Sequence, residues 1–112
     1  MNNVMTIDGY QAIIAFDPEI SMFRGEFLGL NGGADFYAAD VDGLRREGEK
    51  SLRVFLEACQ QRGIDPKKQY SGKFVLRLDP GTHEAAALAA AAQGQSLNQW
   101  AVKTIQEAAR AA

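Results

Sequence analysis

The stretch "SGKFVLRLDPGTHEAA", residues 71–86, decides how the last third of this chain folds. Alternate side chains of "KFVLRL" point to opposite sides of a strand, so the pattern predicts one apolar and one more polar face. The apolar face carries Phe74, Leu76 and Leu78. The other face carries Lys73, Val75 and Arg77. Asp79 then has the character of a helix N-cap, and Pro80 suits the first helical position.

Two helices are predicted after this strand. The first runs from Pro80 to Gln93 and is closed by Gly94. Ser96 is expected to cap the second, "LNQWAVKTIQEAARAA". One strand and two helices cannot bury enough apolar surface to be stable alone, and a single strand has no ladder partner. We therefore predict a homodimer whose two strands pair antiparallel. The dimerisation residues are Phe74, Leu76, Leu78, Leu97, Ala101 and Ile105, with Trp100 and Val102 as further candidates.

The predicted dimer would place the outward side chains of both strands on one two-stranded ribbon. Such a ribbon fits the major groove of DNA, where Arg and Lys bind guanine edges. We expect Lys73, Val75 and Arg77 to face the groove, and Ser96 and Asn98 at a helix N-terminus to hold phosphate. Lys73 and Arg77 could instead be edge charges that deter aggregation.

Residues 73–105 resemble the ribbon-helix-helix DNA-binding family, typified by Arc and MetJ. The resemblance rests on "KFVLRL", on "DP" at the start of the first helix, and on "GQSLNQW", which is similar to the family's Gly-x-Ser-x-Asn turn.

The first half of the chain predicts an α+β fold. Three antiparallel strands are expected in "YQAIIAFD", "MFRGEFLGL" and "ADFYAA", followed by a helix from about Val41 to Arg62 that Gly63 ends. The "DVDG" stretch, residues 40–43, supplies acidic N-cap candidates for this helix. One apolar stripe along the helix, with Cys59 as a buried thiol, consists of Leu44, Gly48, Leu52, Phe55, Leu56 and Cys59. The segment "IDPKKQYSG" has no periodicity and is predicted to be a linker. The expected domains are residues 1–64, a linker at 65–72, and residues 73–112.

Composition limits the function classes. The 112 residues are 46% hydrophobic and 23% charged, as in a soluble globular protein, and the N-terminus has no signal-peptide pattern, so we expect a cytoplasmic protein. Cys59 is the only cysteine and His83 the only histidine, which argues against a disulfide and a zinc site. We expect no cofactor and no enzymatic activity. Residues 1–64 carry a net charge of −4 and residues 65–112 a net charge of +2.

Nearly the whole chain resembles a HicB-family antitoxin. The resemblance is carried by "YQAIIAFDPEISMFRGEFLGL", "DFYAAD", "SLRVFLEAC" and "GIDPKKQYSGKFVLRL". It implies a βββα domain that blocks a HicA-type RNA-cleaving toxin, and a DNA-binding domain that represses the antitoxin's own operon. The implied partners are that toxin, double-stranded operator DNA and a second copy of the chain, with no membrane.

Two other functions stay open from the residues. The chain could be a stand-alone ribbon-helix-helix regulator whose N-terminal domain senses a small molecule. It could also be an enzyme of nucleotide or RNA metabolism, although the sequence offers no convergent acid, base and nucleophile.

Overall fold

The computed structural model describes residues 3–111, and the chain divides into two compact units, Met1–Ser71 and Gly72–Ala112. The first unit contains β1 (Val4–Ile7), β2 (Tyr10–Asp17), β3 (Met22–Phe27), β4 (Asp35–Ala38) and α1 (Val41–Arg62). The second contains α2 (Pro80–Ala92) and α3 (Leu97–Ala111). The predicted α+β class is confirmed. Ala112, the last residue of the predicted second helix, lies outside the described residues.

The sheet of the first unit has four antiparallel strands in the order β1-β2-β3-β4 over the described residues, so the prediction of three strands was wrong. The additional strand, β1, pairs with β2 through Val4↔Ile13 to Ile7↔Tyr10. Asp8 and Gly9 join the two strands, with φ angles of 49° and 82°. Two positive φ angles are typical of a type I′ hairpin turn, for which Asp-Gly is a favoured pair. The Asp8-Gly9 dipeptide is therefore a local sequence signal for strand β1.

One face of the sheet packs against α1 and forms the core of the unit. Buried side chains there come from every strand and from the helix: Ile7, Ala12, Phe27, Phe36, Ala38, Leu44 and Leu52. The ring of Phe36 lies over Gly25, where a Cβ would overlap it. A Cβ at Gly48 would likewise overlap Ile7, so these two glycines allow close approach of strand to strand and of helix to sheet.

Helix α1 begins and ends where the sequence predicts. The Asp40 side chain accepts a hydrogen bond from the backbone N–H of Gly43 at 2.6 Å. At the other end Gly63 has a φ of 67°, and its N–H donates to the carbonyls of Cys59 and Gln60. The caps fix where α1 begins and ends, and its apolar stripe determines which side of the helix packs against the sheet.

The beginning of the predicted linker is bonded to the first unit. The N–H of Asn31 donates to the carbonyl of Pro66 at 2.8 Å, and the N–H of Lys68 donates to the carbonyl of Gly29 at 2.9 Å. Leu30 and Lys67 form an antiparallel bridge. Residues 66–68 are thus held by backbone hydrogen bonds, although their sequence has no periodicity.

The second unit consists of two helices with little buried surface of their own. Ala86 and Ala90 are the buried residues of α2, and no residue of α3 within the described range is buried. A methyl group contributes little apolar area, so the interior formed by this single copy is small.

Candidate dimerisation and DNA-binding surface

Residues 73–79 precede α2 and form no helix, strand or turn in the single chain. The apolar side chains of this segment are exposed: 73% for Phe74, 58% for Leu76 and 43% for Leu78. Three consecutive alternate positions with large apolar side chains in water are unfavourable unless another surface covers them. The intermolecular ribbon itself remains a prediction, because a strand at this position needs a second chain.

An open apolar groove of about 590 Å³ lies within the second unit. Five of the six predicted dimerisation residues line it together: Leu76, Leu78, Leu97, Ala101 and Ile105. Phe74 is not among the lining residues, and neither is Val102, which is exposed on α3. The groove therefore joins the alternating segment to the apolar side of α3 in one continuous surface.

Several groove residues were not predicted from the sequence as dimerisation residues. Thr82 and His83 line the groove from the first turn of α2, and Thr104 lines it from α3 beside the suggested Trp100. The i, i+4 spacing from Trp100 to Thr104 places both on one side of a helix, which was the available signal. Thr104 is compatible with an apolar surface because its hydroxyl donates to the carbonyl of Trp100 at 2.8 Å.

The predicted DNA-facing residues flank these apolar ones along the chain. Lys73, Val75 and Arg77 are all exposed, Val75 by 85%. Alternation separates them from Leu76 and Leu78, which line the groove. Their contact with DNA is untested and stays a prediction.

The start of α3 is fixed by a reciprocal cap. The N–H of Gln99 donates to Ser96 Oγ at 3.1 Å, and the N–H of Ser96 donates to Gln99 Oε1 at 3.0 Å. This is a capping box, and it confirms that Ser96 caps the helix. Because the Ser96 amide is already bonded to Gln99, a phosphate at this helix end would depend on the amides of Leu97 and Asn98.

The start of α2 is fixed by Asp79, as predicted. Its carboxylate accepts from the Thr82 hydroxyl at 2.7 Å and from the Thr82 N–H at 3.0 Å. These bonds favour the ionised form and lower the pKa of Asp79 below its ordinary value. The cap thus sets the point at which the exposed segment ends and the helix begins.

The first unit presents a second surface, the side of its sheet opposite α1, here called the outer face. Its residues are Val4, Thr6, Gln11, Ile13, Ala15, Asp17, Met22, Arg24, Glu26, Asp35 and Tyr37. Arg24 lies near its centre, 2.7 Å from an Asp35 oxygen and 3.2 Å from a Glu26 oxygen. It also donates from Nε to the Tyr37 hydroxyl at 3.2 Å. The hydrogen bond to Asp35, more than any other contact, raises the pKa of Arg24 above its already high value.

Other potential functional groups have structural explanations. Cys59 is buried in α1, as predicted, and Asp40 caps the same helix. No cluster of three or more His, Cys, Asp and Glu side chains suited to a metal ion occurs in residues 3–111. Over the same range, none of the helices has the length and apolarity needed to span a bilayer.

Comparison with known proteins gives one informative match. The HicB family model matches residues 55–105. The match begins inside α1, continues through the alternating segment and α2, and ends in α3. It covers slightly less than half of the 112 residues, so the chain is similar to the HicB family over that segment. Comparisons with curated proteins and with solved structures gave no significant match.

The HicB-matched segment contains all the residues that the sequence singled out for DNA binding and dimerisation, from Lys73 to Ile105. The groove of the second unit also lies entirely within it. The four strands of the first unit lie outside the match. The comparison therefore bears on the second unit and on the last two turns of α1.

Proposed function

We propose that this chain is a HicB-family antitoxin that neutralises a HicA-type RNA-cleaving toxin and represses its own operon as a ribbon-helix-helix dimer. The observation that carries the proposal is the HicB match over residues 55–105, which contains an exposed apolar segment beside an open apolar groove. A second copy would cover both features at once.

In the proposed dimer, segment 73–78 of each chain pairs with its copy, and the groove receives apolar side chains from the partner. Burying Leu76 and Leu78 would contribute roughly 1.5 to 3 kcal/mol per fully buried side chain. The same pairing turns Lys73 and Arg77 of both chains toward one side. Four basic side chains on one ribbon would bind phosphates and guanine edges in the major groove.

In the proposed antitoxin, the first unit binds the toxin. Residues 1–64 carry a net charge of −4, which attracts the basic surface that an RNA-cleaving protein needs. Inhibition by covering an active site requires no catalytic group in the inhibitor. No enzymatic role is therefore assigned to the chain.

The DNA-binding proposal is tested by replacing Arg77 with alanine. We expect Arg77→Ala to weaken binding to the DNA upstream of the chain's own gene by ~1 to 3 kcal/mol, measured by fluorescence anisotropy at fixed salt. Arg53→Ala, which removes an exposed arginine of α1, is the matched control and should bind like the wild type. Wild-type affinity in Arg77→Ala would contradict the groove assignment.

The antitoxin proposal is tested by co-expression. We expect a small basic protein to be encoded beside this chain and to arrest growth when it is produced alone. Growth should recover when both proteins are produced, and the two should co-purify. Growth arrest that persists in the presence of the chain would contradict neutralisation.

A further inference from the structure

The outer face of the first unit combines partly exposed apolar side chains with unequal charge. Ile13 and Met22 lie there half-buried, and Tyr37 is 41% exposed. Helix α1 packs against the opposite side of the sheet. An antiparallel sheet can leave one side in water, but that side is then expected to be mainly polar. On the outer face, Val4, Ile13, Ala15, Met22 and Tyr37 offer apolar contact area among six polar or charged residues.

The negative charge of the first unit is concentrated on the sheet and its turns. Residues 1–40 contain six acids and one base, whereas residues 41–62 of α1 contain four acids and five bases. The six acids are Asp8, Asp17, Glu19, Glu26, Asp35 and Asp40. Long-range attraction for a basic molecule therefore comes from the sheet side, and α1 contributes slight repulsion.

The single base of this region does not oppose that attraction. Arg24 is bound by the carboxylates of both Asp35 and Glu26 and by the hydroxyl of Tyr37. Two carboxylates against one guanidinium leave one negative charge at the centre of the outer face. The guanidinium is held by three groups, so a basic partner would meet a preorganised acidic cluster beside apolar residues.

From this arrangement we infer that the outer face is the surface on which the first unit binds a basic protein partner. The inference rests on the proposed function, because it assigns to a definite surface the toxin binding proposed there. Apolar side chains at the centre would supply burial, and the surrounding acids would supply attraction and orientation. The side of the unit formed by α1 also exposes apolar side chains, Val41 and Val54, but it has no excess of acids.

The test compares identical substitutions on the two sides of the unit in the full-length chain. Glu26→Lys on the outer face is matched by Glu57→Lys on α1, and both change the net charge equally. Ile13→Lys is matched by Val54→Lys, since Val54 is 67% exposed on α1. Far-UV circular dichroism and thermal melting identify variants that keep the native fold.

The probe is the purified small basic protein that the proposed function expects to be encoded beside this chain. Its association and dissociation rates are measured by biolayer interferometry at low and high salt. Glu26→Lys should lower the association rate about tenfold at low salt and reduce its salt dependence, while Glu57→Lys should change it less than about twofold. Ile13→Lys should raise Kd at least about tenfold, with Val54→Lys close to the wild type.

Each other outcome has a distinct meaning. Equal losses in Glu26→Lys and Glu57→Lys would show that net charge alone governs binding and would overturn the assignment. Losses confined to the α1 variants would place the interface on the other side and overturn it too. If the wild type binds no basic protein, the proposed function fails. If the outer-face variants change only self-association, the face pairs two copies of this chain and the inference is wrong.

Discussion

Gly48 of α1 lies where the helix packs closely on the sheet. Its place on the apolar stripe of α1 was apparent from the sequence, but the reason for a glycine there was not. The structure shows that a Cβ at this position would overlap Ile7 and crowd the ring of Phe36. The absence of a side chain sets how closely the helix approaches the sheet.

Gly48→Ala should therefore destabilise the first unit. Glycine to alanine in an unhindered helix is stabilising by ~1 kcal/mol, whereas overpacking a core costs ~1 to 3 kcal/mol. We expect a net loss of stability in urea denaturation followed by far-UV circular dichroism. Gly33→Ala is the control, since a Cβ there meets no atom within 4 Å. A higher melting temperature for Gly48→Ala would contradict the packing argument.

At the scale of elements, helix ends were more predictable than strand number. Caps act through the side chain of one residue on nearby backbone groups, so Asp40, Gly63, Asp79 and Ser96 could be recognised locally. Strand β1 has only four residues, and its main local signal is the Asp8-Gly9 turn that joins it to β2. The bonding of residues 66–68 to residues 29–31 joins distant parts of the chain and left no local signal.

The cap of α2 should make the second unit sensitive to acid. The hydrogen bonds to Thr82 lower the pKa of Asp79 in the folded state. The ionised cap therefore stabilises the fold fully above the ordinary aspartate pKa, and this stabilisation is lost as the pH falls through the lowered pKa. Below about pH 4 the wild type should lose stability more steeply than Asp79→Asn, which keeps a cap acceptor that does not titrate. Trp100, the sole tryptophan, reports the unfolding of this unit by fluorescence. Parallel pH profiles for the two proteins would contradict this role of Asp79.

At the scale of the whole molecule, the small interior of the second unit is the main structural argument for a dimer. Helix α2 buries two alanines and α3 buries no described residue, while Phe74, Leu76 and Leu78 are exposed. Such a unit would gain most of its stability from a second copy, so folding and association should be linked.

Neighbouring residues of segment 73–78 face opposite sides of the proposed ribbon. Substitutions at two adjacent positions can therefore test dimerisation and DNA binding separately. Leu76→Glu should convert the dimer to monomer in sedimentation velocity at micromolar concentration, because a carboxylate would be placed against an apolar groove. Val75→Glu should leave the dimer intact and abolish DNA binding by repulsion from phosphate. A monomeric wild type, or equal effects of the two variants on association, would contradict the ribbon arrangement.

Features that depend on neighbouring residues could be predicted from the sequence: three of the four strands, the three helices with their caps, and most of the apolar side chains that line the groove. Tertiary structure decided the rest. It added the attachment of residues 66–68, the need for glycine at position 48 and the position of Arg24 between two acids. The physical reason is range, because capping and periodicity act within a few residues, whereas these contacts join side chains and backbone groups that only folding brings close.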